Sequence, residues 1–263
     1  MMRAIWTGSL SFGLVNIPVR LYSGAESGSG LDLNMLHKKD LSPIRYVKVC
    51  RADGKEVAYE DIVKGYEYQK GDYVVLTDED FKRANAKKTK TIEITEFTAE
   101  DEIDIRYFEK PYYLEPEKGA DKPYALLREA LGRSNKIAIA KFVLRNREHV
   151  AAIKPVGQAL VLNQMRFTSE IREPAGLKLP GQAAEGKEID MALKLIDQLT
   201  EPFVPEDFND EYTEELEKLI EAKAKGKRPA KKGKEPAHTQ VKDLMATLKA
   251  SLEKERDKAG TKK

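Results

Sequence analysis

The first two thirds of the chain alternate apolar and polar residues with a period near two. Arg3 to Ser11 and Leu14 to Tyr22 are rich in apolar and β-branched residues, and Phe12-Gly13 between them predicts a tight turn. Arg45 to Cys50 and Glu56 to Tyr59 flank Ala52-Asp53-Gly54-Lys55, a second hairpin signal. In Thr91 to Phe97, strict alternation puts Ile92, Ile94 and Glu96 on one face and Thr91, Glu93 and Thr95 on the other. Lys136 to Arg145 sets Ile137, Ile139, Lys141 and Val143 against Ala138, Ala140, Phe142 and Leu144. Arg145-Asn146-Arg147-Glu148 then turns the chain into His149 to Ile153, and Gln158 to Phe167 predicts another strand.

Helical signals punctuate this pattern and then replace it. Thr77-Asp78-Glu79-Asp80 reads as an N-cap with acidic first-turn residues, predicting a short helix through Asn85. Asp121 is expected to cap a helix that starts with Pro123, faces inward with Tyr124, Leu127 and Leu131, and closes at Gly132. Beyond Pro180 the period becomes 3.6, with Ile189, Leu193, Ile196 and Leu199 in one stripe and Tyr212, Leu216, Leu219 and Ile220 in another. The pattern therefore predicts an α+β, β-rich body, a sheet or barrel with helices at its end. Val241, Leu244, Met245, Leu248 and Leu252 recur at helical spacing near the C-terminus, in a segment too short to be stable alone and expected to order against a partner.

Composition narrows the class. A chain of 263 residues with 41% hydrophobic and 34% charged residues has enough apolar material for a core and a soluble surface. No uninterrupted apolar run exceeds four residues, far below the roughly 18 that a membrane-spanning helix needs. Gly8, Ser9, Ser11, Gly13 and Asn16 break up any signal-peptide core, and the single cysteine, Cys50, fits a reducing compartment, so a cytoplasmic location is expected. Cys50 itself reads as a small apolar core residue. Ser23 to Gly30, almost all Ser, Gly and Ala, reads as a flexible loop.

Charge is divided unevenly. Ala222 to Lys234 holds seven cations and no anion: Lys223, Lys225, Lys227, Arg228, Lys231, Lys232 and Lys234. Residues 222–263 carry fourteen Lys and Arg against five Asp and Glu, so of the net +2 the tail holds +9 and the preceding 221 residues −7. A basic tail on an acidic body is built to seek polyanions and partners. Within the body, Lys38 and Lys39 precede a loop to Arg45, Lys48 and Arg51; Lys82, Arg83, Lys87, Lys88 and Lys90 cluster at a helix-to-strand junction; Arg145 and Arg147 bracket a hairpin turn. Each is equally readable as a solvated strip, but a concave wall lined by several would bind phosphates without reading bases.

Signals for catalysis are sparse. With three His and one Cys, His37 and Cys50 lack half the ligands of a tetrahedral zinc site, and no metal is expected. Neither G-x-x-x-x-G-K-[ST] nor G-x-G-x-x-G occurs, so no nucleotide cofactor is expected. Acidic neighbours such as Glu100, Asp101, Glu102 and Asp104 are the chance outcome of 44 acids in 263 residues, and no metal-binding set stands out among them.

Longer motifs carry a family resemblance. The opening Met2-Arg3-Ala4-Ile5-Trp6-Thr7-Gly8-Ser9-Leu10-Ser11-Phe12-Gly13-Leu14-Val15-Asn16-Ile17-Pro18-Val19-Arg20-Leu21-Tyr22 resembles that of the bacterial Ku proteins, the DNA-end-binding factors of non-homologous end joining. Glu60-Asp61-Ile62-Val63-Lys64-Gly65-Tyr66-Glu67-Tyr68, Val74-Val75-Leu76-Thr77-Asp78-Glu79-Asp80 and Tyr107-Phe108-Glu109-Lys110-Pro111-Tyr112-Tyr113-Leu114 continue it in order, as do Tyr124 to Leu131 and Phe142 to Arg145. The likeness spans nearly all of residues 2–225; Ser23 to Gly30 departs from the family pattern.

The resemblance implies a Ku-type β-barrel with extended arms over residues 1–180, a helical part over 181–225, and a basic linker with a short partner-binding helix over 226–263. It further implies a homodimeric ring that threads onto double-stranded DNA ends in double-strand break repair, with no enzymatic activity and no cofactor. Its implied partners are the DNA end, a second copy, and the ATP-dependent end-joining ligase, ligase D. Arg20, Lys38, Lys39, Arg45, Lys48, Arg51, Lys87, Lys88, Lys90, Arg145 and Arg147 are the expected duplex contacts, joined by the tail cations. Val241, Leu244, Met245, Leu248 and Leu252 are the expected ligase contact. Two other classes fit the raw composition: a metal-dependent end-processing nuclease, and a basic-tailed protein that coats DNA anywhere.

Overall fold

Strands that alternate with this regularity must hide one face, and most of them do so by closing on themselves. The computed structural model describes residues 2–26, 30–84, 90–181, 186–226, 246–251 and 253. They form strands β1 (Trp6–Phe12), β2 (Val15–Ser23), β3 (Lys64–Gln69), β4 (Asp72–Leu76), β5 (Thr91–Thr98), β6 (Phe108–Pro116), β7 (Ile137–Leu144), β8 (Arg147–Val156) and β9 (Ala159–Met165). The longer helices are α1 (Asp78–Ala84), α2 (Asp121–Ser134), α3 (Gly186–Leu199) and α4 (Glu211–Ala224). Residues 1–174 make one compact unit and 175–263 another.

Seven strands close a barrel in the order β1-β2-β6-β9-β8-β7-β5, antiparallel throughout except at the β5–β1 seam, which is parallel. At that seam Ser9 N–H donates to the Lys90 carbonyl at 2.9 Å. The approach requires Gly8, since a Cβ there would collide with the Lys90 carbonyl oxygen and the Trp6 ring. The barrel is filled by Leu10, Ile17, Val19, Leu21, Ile92, Leu114, Ala138, Ala140, Phe142, Ala151, Ile153, Leu160 and Leu162, all at most 2% exposed. A smaller cluster lies on the outer side, where Ile137, Ala152 and Met165 pack with Ile103, Tyr107 and Phe108. This cover explains why β7 is buried on both faces despite its alternation.

Several local expectations need correction. The first turn is Gly13-Leu14, with Gly13 at φ +58°, and Leu14 is fully exposed. In β5 a bulge between Ile94 and Glu96 breaks the alternation, so Ile92 is buried while Glu96 is exposed. Asp121 sits in the first turn of α2, but the cap position is Ala120; the helix passes Gly132 and ends at Ser134, with Asn135 in the left-handed conformation. The hairpin expected over Arg45 to Tyr59 reduces to one bridge, Val49 to Glu56, around the turn at Gly54, and Cys50 is partly exposed outside the core. Strand β6, with Pro111 and Pro116, and the β3–β4 hairpin were not apparent from periodicity.

Helix α2 lays Tyr124, Leu127 and Leu131 into the barrel core, as its sequence spacing requires. Tyr124 does more than fill space. Its hydroxyl donates to the Leu114 carbonyl at 2.7 Å and accepts from Leu160 N–H at 2.6 Å, joining the helix to β6 and β9. Burial raises the Tyr124 pKa, keeping the hydroxyl protonated and able to donate. Tyr124→Phe leaves a buried N–H and a buried C=O without that partner, a loss of about 1–3 kcal/mol. Denaturant titration is expected to show a lower midpoint for Tyr124→Phe at unchanged slope, whereas Tyr22→Phe, whose hydroxyl meets Glu115 at the surface, should move it far less.

Candidate nucleic-acid interface

The inward face of the barrel is apolar along most of its length and turns polar at one mouth. On β8, Ala151 and Ile153 belong to the core, and the next inward positions toward the β7–β8 turn are His149 and Arg147. On β9 the series Leu160, Leu162 continues as Gln164 and then Arg166; on β6, Leu114 and Tyr112 continue as Lys110. Register pairs Lys110 with Gln164, and Gln164 with Ala151 of the core, so His149 and Arg147 lie successively farther toward the mouth. Above them, Arg145 and Asn146 form the two-residue turn between β7 and β8, at φ +52° and +64°, as a type I′ turn demands.

Glu109, Arg147, His149, Gln164, Arg166 and Glu170 line a recess of about 100 Å³ at this mouth. Arg147 pairs with Glu170, the last residue of a 3₁₀ turn over Thr168–Glu170. The other Glu170 oxygen accepts from Phe167 N–H at 2.9 Å, and this bond, reinforced by Arg147, holds the carboxyl below its usual pKa. Arg166 donates to the Phe108 carbonyl at 2.8 Å and the Arg106 carbonyl at 3.2 Å. Gln164 donates to Glu109 at 3.2 Å and accepts from the Tyr112 hydroxyl at 3.3 Å, and the Lys110 ammonium lies 5.7 Å from the Tyr112 ring centre. His149 rests near the Phe142 ring, at 5.5 Å between centroids; burial and then the charge of Arg147 lower its pKa, favouring neutral imidazole. Lys110, Arg145, Arg147 and Arg166 thus converge at one end of the barrel. Sequence reading singled out only Arg145 and Arg147 of these four.

The other expected contacts lie elsewhere. Lys38 and Lys39 stand on a loop closed by His37 and Asp40 at 2.8 Å and by Ser42 N–H to Asp40 at 3.1 Å. Arg51 occupies the next turn, where Cys50 N–H donates to the Lys55 carbonyl at 2.8 Å. Arg45 lies 4.0 Å from Glu56, and the Lys48 ammonium sits 4.8 Å from the Tyr59 ring centre. All five cations are exposed. Lys90 is exposed at the entrance to β5; Lys87 and Lys88 fall outside the described residues. Arg20 points outward from β2 between Glu117 at 3.4 Å and Glu115 at 3.8 Å, so its charge is already balanced by two carboxylates. Lys223 and Lys225 are exposed at the end of α4, the latter 3.1 Å from Glu221. Lys227, Arg228, Lys231, Lys232, Lys234, Val241, Leu244, Met245 and Leu252 are outside the described residues, and Leu248 is partly exposed within helical residues 246–251.

Two further facts bear on function. Among the described residues no group of three or more His, Cys, Asp or Glu is arranged to hold a metal ion, and no helix is long and apolar enough to cross a membrane. The described residues between 30 and 80 include no buried residue, although Leu33, Leu41, Tyr46, Tyr59, Val63, Tyr66, Tyr68 and Tyr73 lie among them.

Comparison with known proteins places this architecture. Residues 11–191 match the family of the Ku70/Ku80 beta-barrel domain. The chain is 46% identical to the non-homologous end joining protein Ku of Opitutus terrae over 255 residues, 95% of this chain and 91% of that protein. It is 44% identical to the protein of the same name from Archaeoglobus fulgidus, covering 96% and 99% of the two chains, and 41% identical to that of Pseudomonas aeruginosa, covering 99% and 90%. On these likenesses, and on the seven-stranded barrel that underlies them, the chain belongs to the Ku family.

Proposed function

We propose that this chain binds the ends of linear double-stranded DNA without sequence preference, as a homodimer that closes around the duplex, and that it serves non-homologous end joining by presenting the end to ligase D. The names of its relatives support the pathway. The observation that carries the assembly is the apolar surface that residues 30–80 leave uncovered, with Tyr46 and Tyr59 each more than four-fifths exposed. An apolar surface of this extent marks an interaction site, and a second copy covers it symmetrically. Neither α3 nor α4 buries a residue, which supports a partner surface there too.

In this reading the exposed cations at Lys38, Lys39, Arg45, Lys48, Arg51, Lys90, Arg145 and Arg147, with the half-buried Lys110 now added, meet phosphates, while Arg166 adds positive charge from its anchored place in the recess. Lys87 and Lys88 extend the same set. Phosphate contacts position a protein on the duplex without reading its sequence, which suits a factor that must accept any broken end. The protein acts by binding alone, with no catalytic step or cofactor. The basic tail adds sequence-independent affinity, and Val241, Leu244, Met245, Leu248 and Leu252, which recur at helical spacing in the sequence, are the residues offered to the ligase.

Threading makes a geometric prediction. Linear duplex is expected to bind tightly in a mobility-shift assay, while covalently closed circles of equal length and sequence bind far less; equal affinity at moderate salt removes the ring. With about six phosphates neutralised, log affinity is expected to fall against log salt with a slope of about −5. End-labelled duplex should be shifted but remain uncut in Mg²⁺ or Mn²⁺. Deleting residues 227–263 should preserve end binding and abolish stimulation of the ligase in a ligation assay. A protein that coats DNA through its tail would instead lose binding altogether.

A further inference from the structure

We propose that Glu170 gates Arg147: the carboxylate holds this guanidinium in the free protein and gives it up to a DNA phosphate at the barrel mouth. The inference rests on the reading of the chain as a DNA-end binder and assigns a regulatory part to one residue of that surface. Three observations carry it.

First, the partners are held unequally. Glu170 is fixed by an interaction of its own, accepting from Phe167 N–H at 2.9 Å to close its 3₁₀ turn, and its side chain is 33% exposed. Arg147, at the first position of β8 beside the turn, has a side chain 63% exposed. When Arg147 leaves, Glu170 therefore keeps its place.

Second, the surroundings tolerate the exchange. Arg166 is anchored to two backbone carbonyls, so it stays to face Glu170 and Glu109 in the recess after Arg147 has gone. Gln164, bonded to Glu109, and His149, packed near Phe142, complete a wall that does not depend on Arg147.

Third, the chemistry of exchange is favourable. An exposed ion pair contributes little and is readily replaced, while a phosphate offers the guanidinium the same two-oxygen geometry as a carboxylate. Closed, the recess balances Arg147 and Arg166 against Glu109 and Glu170; open, it releases one cation next to Arg145 on the turn. The gate makes full charge at the mouth available only where a phosphate can compete for it.

The test is a double-mutant cycle read by fluorescence anisotropy on a blunt linear duplex across a salt series, using the full chain. Glu170→Gln keeps an acceptor for Phe167 N–H and removes the charge. It is expected to tighten binding about two- to fivefold. Arg147→Gln is expected to weaken binding and to make the salt slope shallower by about 0.9, one phosphate contact. In the Arg147→Gln background, Glu170→Gln should then have no effect. An equal gain from Glu170→Gln in both backgrounds overturns the gate, because the carboxylate then acts only as a distant charge. An unchanged salt slope for Arg147→Gln overturns it independently of whether the Glu170 variant folds, since Arg147 then touches no phosphate. Either result, with the wild type still preferring linear duplex to closed circles, leaves end binding intact. Loss of that preference in the wild type refutes the underlying reading instead.

Discussion

Closure of the barrel is the constraint on which the rest of the unit depends. Once β1 meets β5, every strand of the ring has one face turned inside, and a closed sheet leaves no free edge. Apolar residues must then occupy alternate positions around the ring, and Leu10, Ile17, Ile92, Leu114, Ala140, Ile153 and Leu162 do so. The seam tolerates no side chain at Gly8, because the Lys90 carbonyl lies where a Cβ would be. Helix α2 adds the face of Tyr124, Leu127 and Leu131 to the same core, with the Tyr124 hydroxyl satisfying two buried backbone groups that its own packing removes from water. The candidate interface follows from the same rule. Inward positions beyond the apolar filling are close to solvent, so the pleat that buries Ala151 and Leu162 delivers His149, Arg147 and Gln164 to a common opening.

The segment between β2 and α1 obeys a different economy. Its loops are closed by short-range polar contacts, His37 with Asp40, Asp40 with Ser42 and Lys55 N–H with Asp53, rather than by a core. Such contacts fix the shape of a turn but do nothing for the apolar surface of Tyr46, Tyr59 or Tyr66. The hairpin of β3 and β4 pairs only with itself, and a two-stranded ribbon is marginal in water. The segment thus leaves a large aromatic surface exposed, the observation on which the proposed assembly rests. The same loops expose Lys38, Lys39 and Arg51, so the uncovered aromatic surface and these cations share one segment.

These different origins of structure explain what the sequence disclosed. Strands whose faces differ sharply in polarity, such as β7 and β8, and helices with a clear apolar stripe, such as α2, are visible because burial imposes the pattern on the chain itself. Where burial is absent the pattern is absent too: Lys64–Gln69 and Asp72–Leu76 are strands without a hidden face, and Arg45 to Cys50 looks β-prone yet forms a single bridge. Strand β6 was masked by its prolines, which count against a strand unless the pairing geometry admits them. At the mouth, Arg145 and Arg147 stood out because they bracket a turn. Lys110 and Arg166 did not, since their meeting depends on the register of β6, β8 and β9, which no local window contains. Counting inward positions past the last apolar residue of each strand is the one signal that would have found them. Long motifs in fixed order identified the family, information that periodicity does not carry.

The sign of the whole body is a poor guide to what its surface binds. Residues 1–221 sum to −7, yet screening in physiological salt confines an exposed charge to about 8 Å, so a phosphate responds to its immediate neighbours and hardly to the far side of the barrel. At the mouth those neighbours are Lys110, Arg145, Arg147 and Arg166 against Glu109 and Glu170, a local excess of cations within a net-anionic body. The net negative charge of the body opposes indiscriminate adhesion to polyanions, while the cations at the mouth and loop tips form local exceptions to it. Under the proposed function that division suits end recognition better than uniform positive charge would, because attraction is confined to a few surfaces and the net charge of the body opposes contact elsewhere.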